Sequence, residues 1–107
     1  MEKTIKGQQD AFARRDFAQA REFASESFRT FITTDEFRAL IEREYAFLLT
    51  DPAVTFDRCG QVEDIGEIQV QVPGATPRTM IYRLVKESTG WAIDGARITG
   101  TSSGIAA

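Results

Sequence analysis

The sequence predicts an α+β domain in two layers, three N-terminal helices laid across one face of a four-stranded antiparallel meander. Apolar residues recur at helical spacing from Ile5 to Leu48 and at alternate positions from Val54 onward, so the period changes at Pro52. The segment Gly90-Trp91-Ala92-Ile93-Asp94-Gly95-Ala96-Arg97-Ile98 reads as the closing strand. No internal repeat, low-complexity segment or shift in composition breaks this order. Residues 1–100 are therefore read as a single domain and 101–107 as a small-residue tail expected to be mobile.

The first helix is predicted from about Lys3 to Arg15, with Ile5 and Phe12 as few but large anchors on one side. Asp16 ends it and, with Gln19, resembles a capping box for a second short helix carrying Phe17, Ala20, Phe23 and Ala24. Ser25, Ser27, Phe28 and Phe31 suit a turn whose aromatics fold back onto the core. Thr33 with Glu36 is a capping box for the third helix, predicted from Asp35 to about Leu49 with Phe37, Leu40, Ile41, Tyr45 and Leu48 along one stripe. Pro52 stops it.

Val54, Phe56 and Val62 mark a first strand interrupted near Gly60; Ile68, Val70 and Val72 alternate with Glu67, Gln69 and Gln71 in a second. Pro73-Gly74 and Pro77 bracket a hairpin loop before a third strand, Arg78 to Lys86. Met80, Tyr82 and Leu84 occupy one face of that strand and Ile81 and Val85 the other, so something should cover its outer side. Ser88-Thr89-Gly90 turns the chain into the last strand. There Trp91 and Ile93 share a face with Ala96 and Ile98 only if a bulge intervenes at Asp94-Gly95.

Composition narrows the function classes. The chain has 107 residues, enough for one core, with 42% hydrophobic and 27% charged residues. A mean hydropathy of -0.26 and the lack of a long apolar run argue against a membrane span. A net charge of -3 and a pI near 4.9 argue against a nucleic-acid partner, and Arg14-Arg15, the one adjacent basic pair, suits a solvated helix end. Residues 1–15 have no apolar leader core, so a cytoplasmic location is expected, or a periplasmic or secreted one if a signal peptide has been removed.

With no histidine, Ser-His-Asp and Cys-His relays and His-ligated metal sites are not available. Cys59 has no partner for a disulfide and no histidine to activate it, and reads as a small half-buried strand residue. Asp57, Glu63, Asp64 and Glu67 lack the spacing of a calcium loop, and the glycines are isolated rather than grouped into a phosphate loop. No metal and no cofactor is expected.

Gln9-Asp10-Ala11-Phe12, Asp16-Phe17-Ala18-Gln19-Ala20, the helix ending near Tyr45, Val54-Thr55-Phe56, Tyr82-Arg83-Leu84 and Gly90-Trp91-Ala92-Ile93-Asp94-Gly95 resemble a bacterial family of small domains of unknown function. That family is similar to the cystatin-like, nuclear transport factor 2-like superfamily. The resemblance covers most of residues 3 to 99 and implies a cone, helices over a curved sheet. The wider superfamily includes ketosteroid isomerases, polyketide cyclases, dehydratases and non-catalytic binding or dimerising domains; many relatives in the smaller family carry a signal peptide.

A cone implies an apolar mouth, where a few polar groups would confer function. The candidate pocket residues are Tyr45, Phe56, Tyr82, Trp91 and Asp94, with Arg97 beside them. A buried carboxylate next to a tyrosine could move a proton and hold an oxyanion, the alternative of an isomerase, cyclase or dehydratase. Against it, the helix positions that would present a base carry Phe, Leu and Ile, and Asp94 is explained by the bulge. The expected role is non-catalytic: binding of a small apolar ligand, or homodimerisation through Ile81 and Val85 on the outer face.

Overall fold

The computed structural model describes residues 1–99, so the predicted tail at 101–107 lies outside the described residues. Helices α1 (Glu2–Ala13), α2 (Phe17–Glu22), α3 (Glu26–Phe31) and α4 (Thr34–Glu44) precede strands β1 (Thr55–Val62), β2 (Ile65–Val72), β3 (Arg78–Glu87) and β4 (Gly90–Thr99). The strands form one antiparallel sheet in the order β1-β2-β3-β4. The fold is α+β, as the change of period at Pro52 predicts.

Local chemistry sets the helix starts. Asp16 accepts the Gln19 amide at 3.1 Å, and Thr33 and Glu36 exchange both bonds of a capping box, at 3.2 and 2.9 Å. Ser25 does the same for Phe28 N at 3.1 Å, which makes the stretch expected to be a turn a fourth helix. This short helix meets the core through Phe28, edge-on to Phe37 with ring centres 6.3 Å apart, and buries no residue fully. Phe31, expected to fold inward, is 87% exposed. The third predicted helix also ends sooner than its stripe suggests. Tyr45, at φ -130° and ψ 28°, leaves the α-helix, and Ala46–Thr50 continues as a 3-10 helix that still buries Leu48 and Leu49.

The core lies between the layers. Ile5 and Phe12 of α1, Phe17 and Ala20 of α2, and Phe37 and Ile41 of α4 pack on Ile68, Val70 and Val72 of β2, Met80, Tyr82 and Leu84 of β3, and Ile93 of β4. Phe12 stacks on Phe37 with ring centres 6.0 Å apart. Gly7 is needed for close approach, because a Cβ there would stand 2.5 Å from Cε1 of Phe23.

Two bulges shape the sheet. In β4 the pairing steps from Leu84↔Ile93 to Arg83↔Gly95, leaving Asp94 as the extra residue. Ile93, Ala96 and Ile98 thereby pair with Leu84, Tyr82 and Met80 on the inner side, the shift the apolar pattern requires. In β1 the irregularity falls at Asp57-Arg58, between Phe56 and Cys59, while Gly60 pairs regularly with Glu67. The two sheet edges differ. On β4, Ile93 N–H donates to Phe23 O and its carbonyl accepts from Ser25 N–H, both at 2.8 Å, so residues 23–25 cover that edge at Ile93. Strand β1 forms the opposite edge and is exposed along most of its length.

On the outer face, Val62, Ile65, Val85 and Ala92 align as one rung across all four strands. Val62 is 76% exposed, and Val85 is half-buried. Ile81, also half-buried, stands between Gln69 and Arg97 on the same face.

Candidate functional site

A pocket of about 90 Å³ opens between the helices and β3-β4. Phe12, Phe37, Leu40, Ile41, Met80 and Ile93 supply most of its apolar wall, and Phe28 and Leu48 close its sides. Its polar groups are few: Gln8, Tyr45 and Tyr82. The site exists because α4 turns its Phe37-Ile41 stripe toward the sheet while the β4 bulge brings the small residues Gly95 and Ala96 to the opposite wall.

Tyr82 projects from β3 into the core and is fully buried. Its hydroxyl accepts from Gln9 Nε2 at 3.2 Å, and the neighbouring Gln8 donates from Nε2 to the Ala20 carbonyl at the same distance. Burial raises the Tyr82 pKa well above the usual tyrosine value; the Gln9 bond opposes this and nearby Tyr45 adds to it. Tyr45 is raised as well, by burial first and then by the Glu44 carboxylate. Among the described residues these tyrosines are the only titratable side chains in the pocket lining, and both keep their protons near neutral pH.

The other candidates lie elsewhere. Asp94 is adjacent in sequence to two lining residues, yet its Oδ1 accepts from Ser25 Oγ at 2.7 Å and its Oδ2 stands 3.7 Å from Arg83 Nε. The carboxylate thus joins the β4 bulge to the cap of α3. Phe56 sits on the inner side of β1, with Lys6 Nζ 5.6 Å from its ring centre, outside the pocket lining. Trp91 borders a separate, wider groove of about 500 Å³ with Met1, Lys3, Thr4 and Phe23, where Thr4 Oγ1 donates to the Trp91 carbonyl at 3.1 Å. Arg97 is exposed on the outer face.

Asp57, from the acidic group, accepts from the Gln71 amide at 3.1 Å and from the Gln69 amide at 3.4 Å; no cluster of three or more metal-ligating side chains occurs among the described residues. Cys59, expected to be half-buried, is exposed, because β1 is an edge strand open along most of its length. Gln8 and Gln9 were missed by the sequence reading. Their signal was available: they fall between Ile5 and Phe12 on the buried stripe of α1, where a polar side chain must find a partner.

Residues 1–105 match the sequence family described as a domain of unknown function, DUF4864. No curated protein and no solved structure matches the chain.

Proposed function

This chain belongs to the DUF4864 family, and we propose that it is a non-catalytic domain that binds a small apolar ligand in the pocket between α4 and the sheet. The observation that carries this reading is the lining itself, largely hydrocarbon and aromatic with no acid or base active near neutral pH. At about 90 Å³ the site is smaller than the roughly 300 to 1,000 Å³ of pockets for drug-sized molecules. It suits one ring or a short chain, the scale of the ~150 Å³ cavity that takes up benzene. The resemblance to the cone-forming superfamily supports a pocket at this place, and the lining argues against the isomerase, cyclase or dehydratase alternative. Titration with toluene, followed through the methyl signals of Met80 and Ile41, should give saturable shifts there. Shifts spread evenly over the surface, or none, would end this reading.

The outer rung favours a second role beside the first. Val62, Ile65 and Val85 form a small apolar rung, with Ile81 on the same face beyond the Glu67-Arg83 pair, which an isologous homodimer would bury on both copies. Sedimentation should show a dimer that Val85→Asp and Ile81→Asp convert to a folded monomer. A parent chain that is monomeric at micromolar concentration rejects it.

A further inference from the structure

We infer that the ligand of this pocket is a neutral, single-ring arene rather than a short aliphatic chain, an inference that rests on the binding reading above. Five rings stand in the wall: Phe12 from α1, Phe28 from α3, Phe37 and the C-cap Tyr45 from α4, and Tyr82 from β3. Leu40, Ile41, Leu48 and Ile93 share the wall with them. These aliphatic side chains favour any hydrocarbon by the area it withdraws from water, and so do not distinguish a ring from a chain. The rings do. An aromatic guest gains from an aromatic wall, beyond burial, through the offset-stacked and edge-to-face arrangements that the ring quadrupole favours, whereas an alkane has no ring to match.

The ring planes suit such a guest. Phe12 lies at 25° to Phe37 with ring centres 6.0 Å apart, and Phe28 stands at 87° to Phe37 with ring centres 6.3 Å apart. A guest ring parallel to Phe37 is therefore close to perpendicular to Phe28, and one pose can make a stacked contact and an edge contact together. Phe12 and Phe37 are buried, while Phe28 is half-buried and belongs to α3, which buries no residue fully. The two deep rings are fixed by packing, and Phe28 is the one free to adjust. Met80, buried in the same wall, adds a thioether, which favours contact with a ring edge.

Charge and size limit the class further. Among the described residues no lining side chain is ionised near neutral pH, since the polar groups are Gln8 and two tyrosines that burial keeps protonated. An aryl carboxylate or an aryl ammonium would bring in a charge with no counter-ion in the wall. A volume of about 90 Å³ leaves room for one ring and no second.

Toluene and n-pentane separate the ring from the chain. They are close in volume and the alkane is the slimmer of the two, so shape does not exclude it, and transfer from water alone favours the alkane. With the full chain, the Met80 and Ile41 methyl shifts should nevertheless give a Kd for toluene roughly tenfold tighter than for n-pentane, the scale of one aromatic pair. Phe28→Leu keeps the hydrocarbon and removes the ring; toluene should weaken several-fold there and n-pentane hardly change. If that variant fails to fold, the parent still decides, because bound toluene should show nuclear Overhauser contacts to the ring protons of Phe28 and Phe37. Equal affinities in the parent, or tighter binding of n-pentane, would overturn the inference and leave the apolar pocket standing. A toluene preference with no contact to either ring and no loss in the variant would overturn the assignment to these rings. Binding of neither probe would overturn the pocket reading, and this inference with it.

Discussion

Leu40 and Ile41 are neighbours on α4 that differ in burial, and truncating each to alanine separates them. Ile41 is buried against the sheet; Leu40 is half-buried and forms part of the pocket wall. Ile41 borders the pocket too but is buried, so Ile41→Ala removes most of its contacts with the core, a loss of about 2 to 5 kcal/mol. Leu40→Ala removes a side chain that already has one side in open space. Half of the roughly 1.5 to 3 kcal/mol for a fully buried side chain, with little added for a cavity, gives about 1 kcal/mol. Urea unfolding followed by Trp91 fluorescence and far-ultraviolet circular dichroism reads both, with midpoints compared at a common slope. A domain of this size has about 5 to 15 kcal/mol in hand, so Ile41→Ala should lower the midpoint far more while both variants still fold. The stripe read from sequence treats the two residues as equivalent core positions. Equal losses at 40 and 41 would therefore refute the unequal burial of the two side chains.

Tyr82 gives the chain an alkaline limit. Its raised pKa means that the native state holds a proton which the unfolded chain releases at about pH 10, so its contribution is complete below that pH and is lost as pH rises through the native value. The midpoint in urea should fall above pH 10, and Tyr82→Phe should flatten that fall; an unchanged slope would count against the burial argument. Ser25→Ala removes both the α3 cap and the 2.7 Å bond to Asp94, and should cost about 2 kcal/mol, whereas Ser27→Ala on the exposed side should stay within about 0.5 kcal/mol. Gly7→Ala inverts a general rule: alanine gains about 1 kcal/mol in a helix, yet here its Cβ meets the Phe23 ring at 2.5 Å, and the net effect in thermal unfolding should be destabilising by about 1 kcal/mol or more. Stabilisation by that substitution would mean that the ring moves aside freely.

Much of the fold was legible because period and caps are local signals. The change of spacing at Pro52, the Thr33-Glu36 box and the bulge demanded by Ile93 and Ala96 all followed from neighbours in sequence. The end of α4 was not legible, since the 3-10 turn from Ala46 still buries Leu48 and Leu49 and so continues the apolar pattern. The Ser25 cap was hidden by its neighbours, because two serines before two phenylalanines suit a turn as well as a short helix. For the site, alternation gives the face of a strand but not the position along it. Phe56 and Tyr82 share the inner face of the sheet, yet Phe56 lies under Lys6 and only Tyr82 reaches the pocket. Gln8 and Gln9 stand three and four residues after Ile5 and so share its buried face, which the helical period alone could have shown; their hydrogen-bond partners, Ala20 and Tyr82, it could not.

The unequal edges of the sheet limit how the protein can misassemble. Fibril growth by strand addition needs two open edges on every subunit, so that each copy can receive one neighbour and offer itself to the next. Here the β4 edge is occupied by residues 23–25 at Ile93 and bulged beside it at Asp94. On the opposite edge, the Asp57-Arg58 bulge of β1 breaks the run of backbone groups a partner strand would need. Two chains joining through β1 would use up that edge on both, so growth through β1 alone stops at a pair.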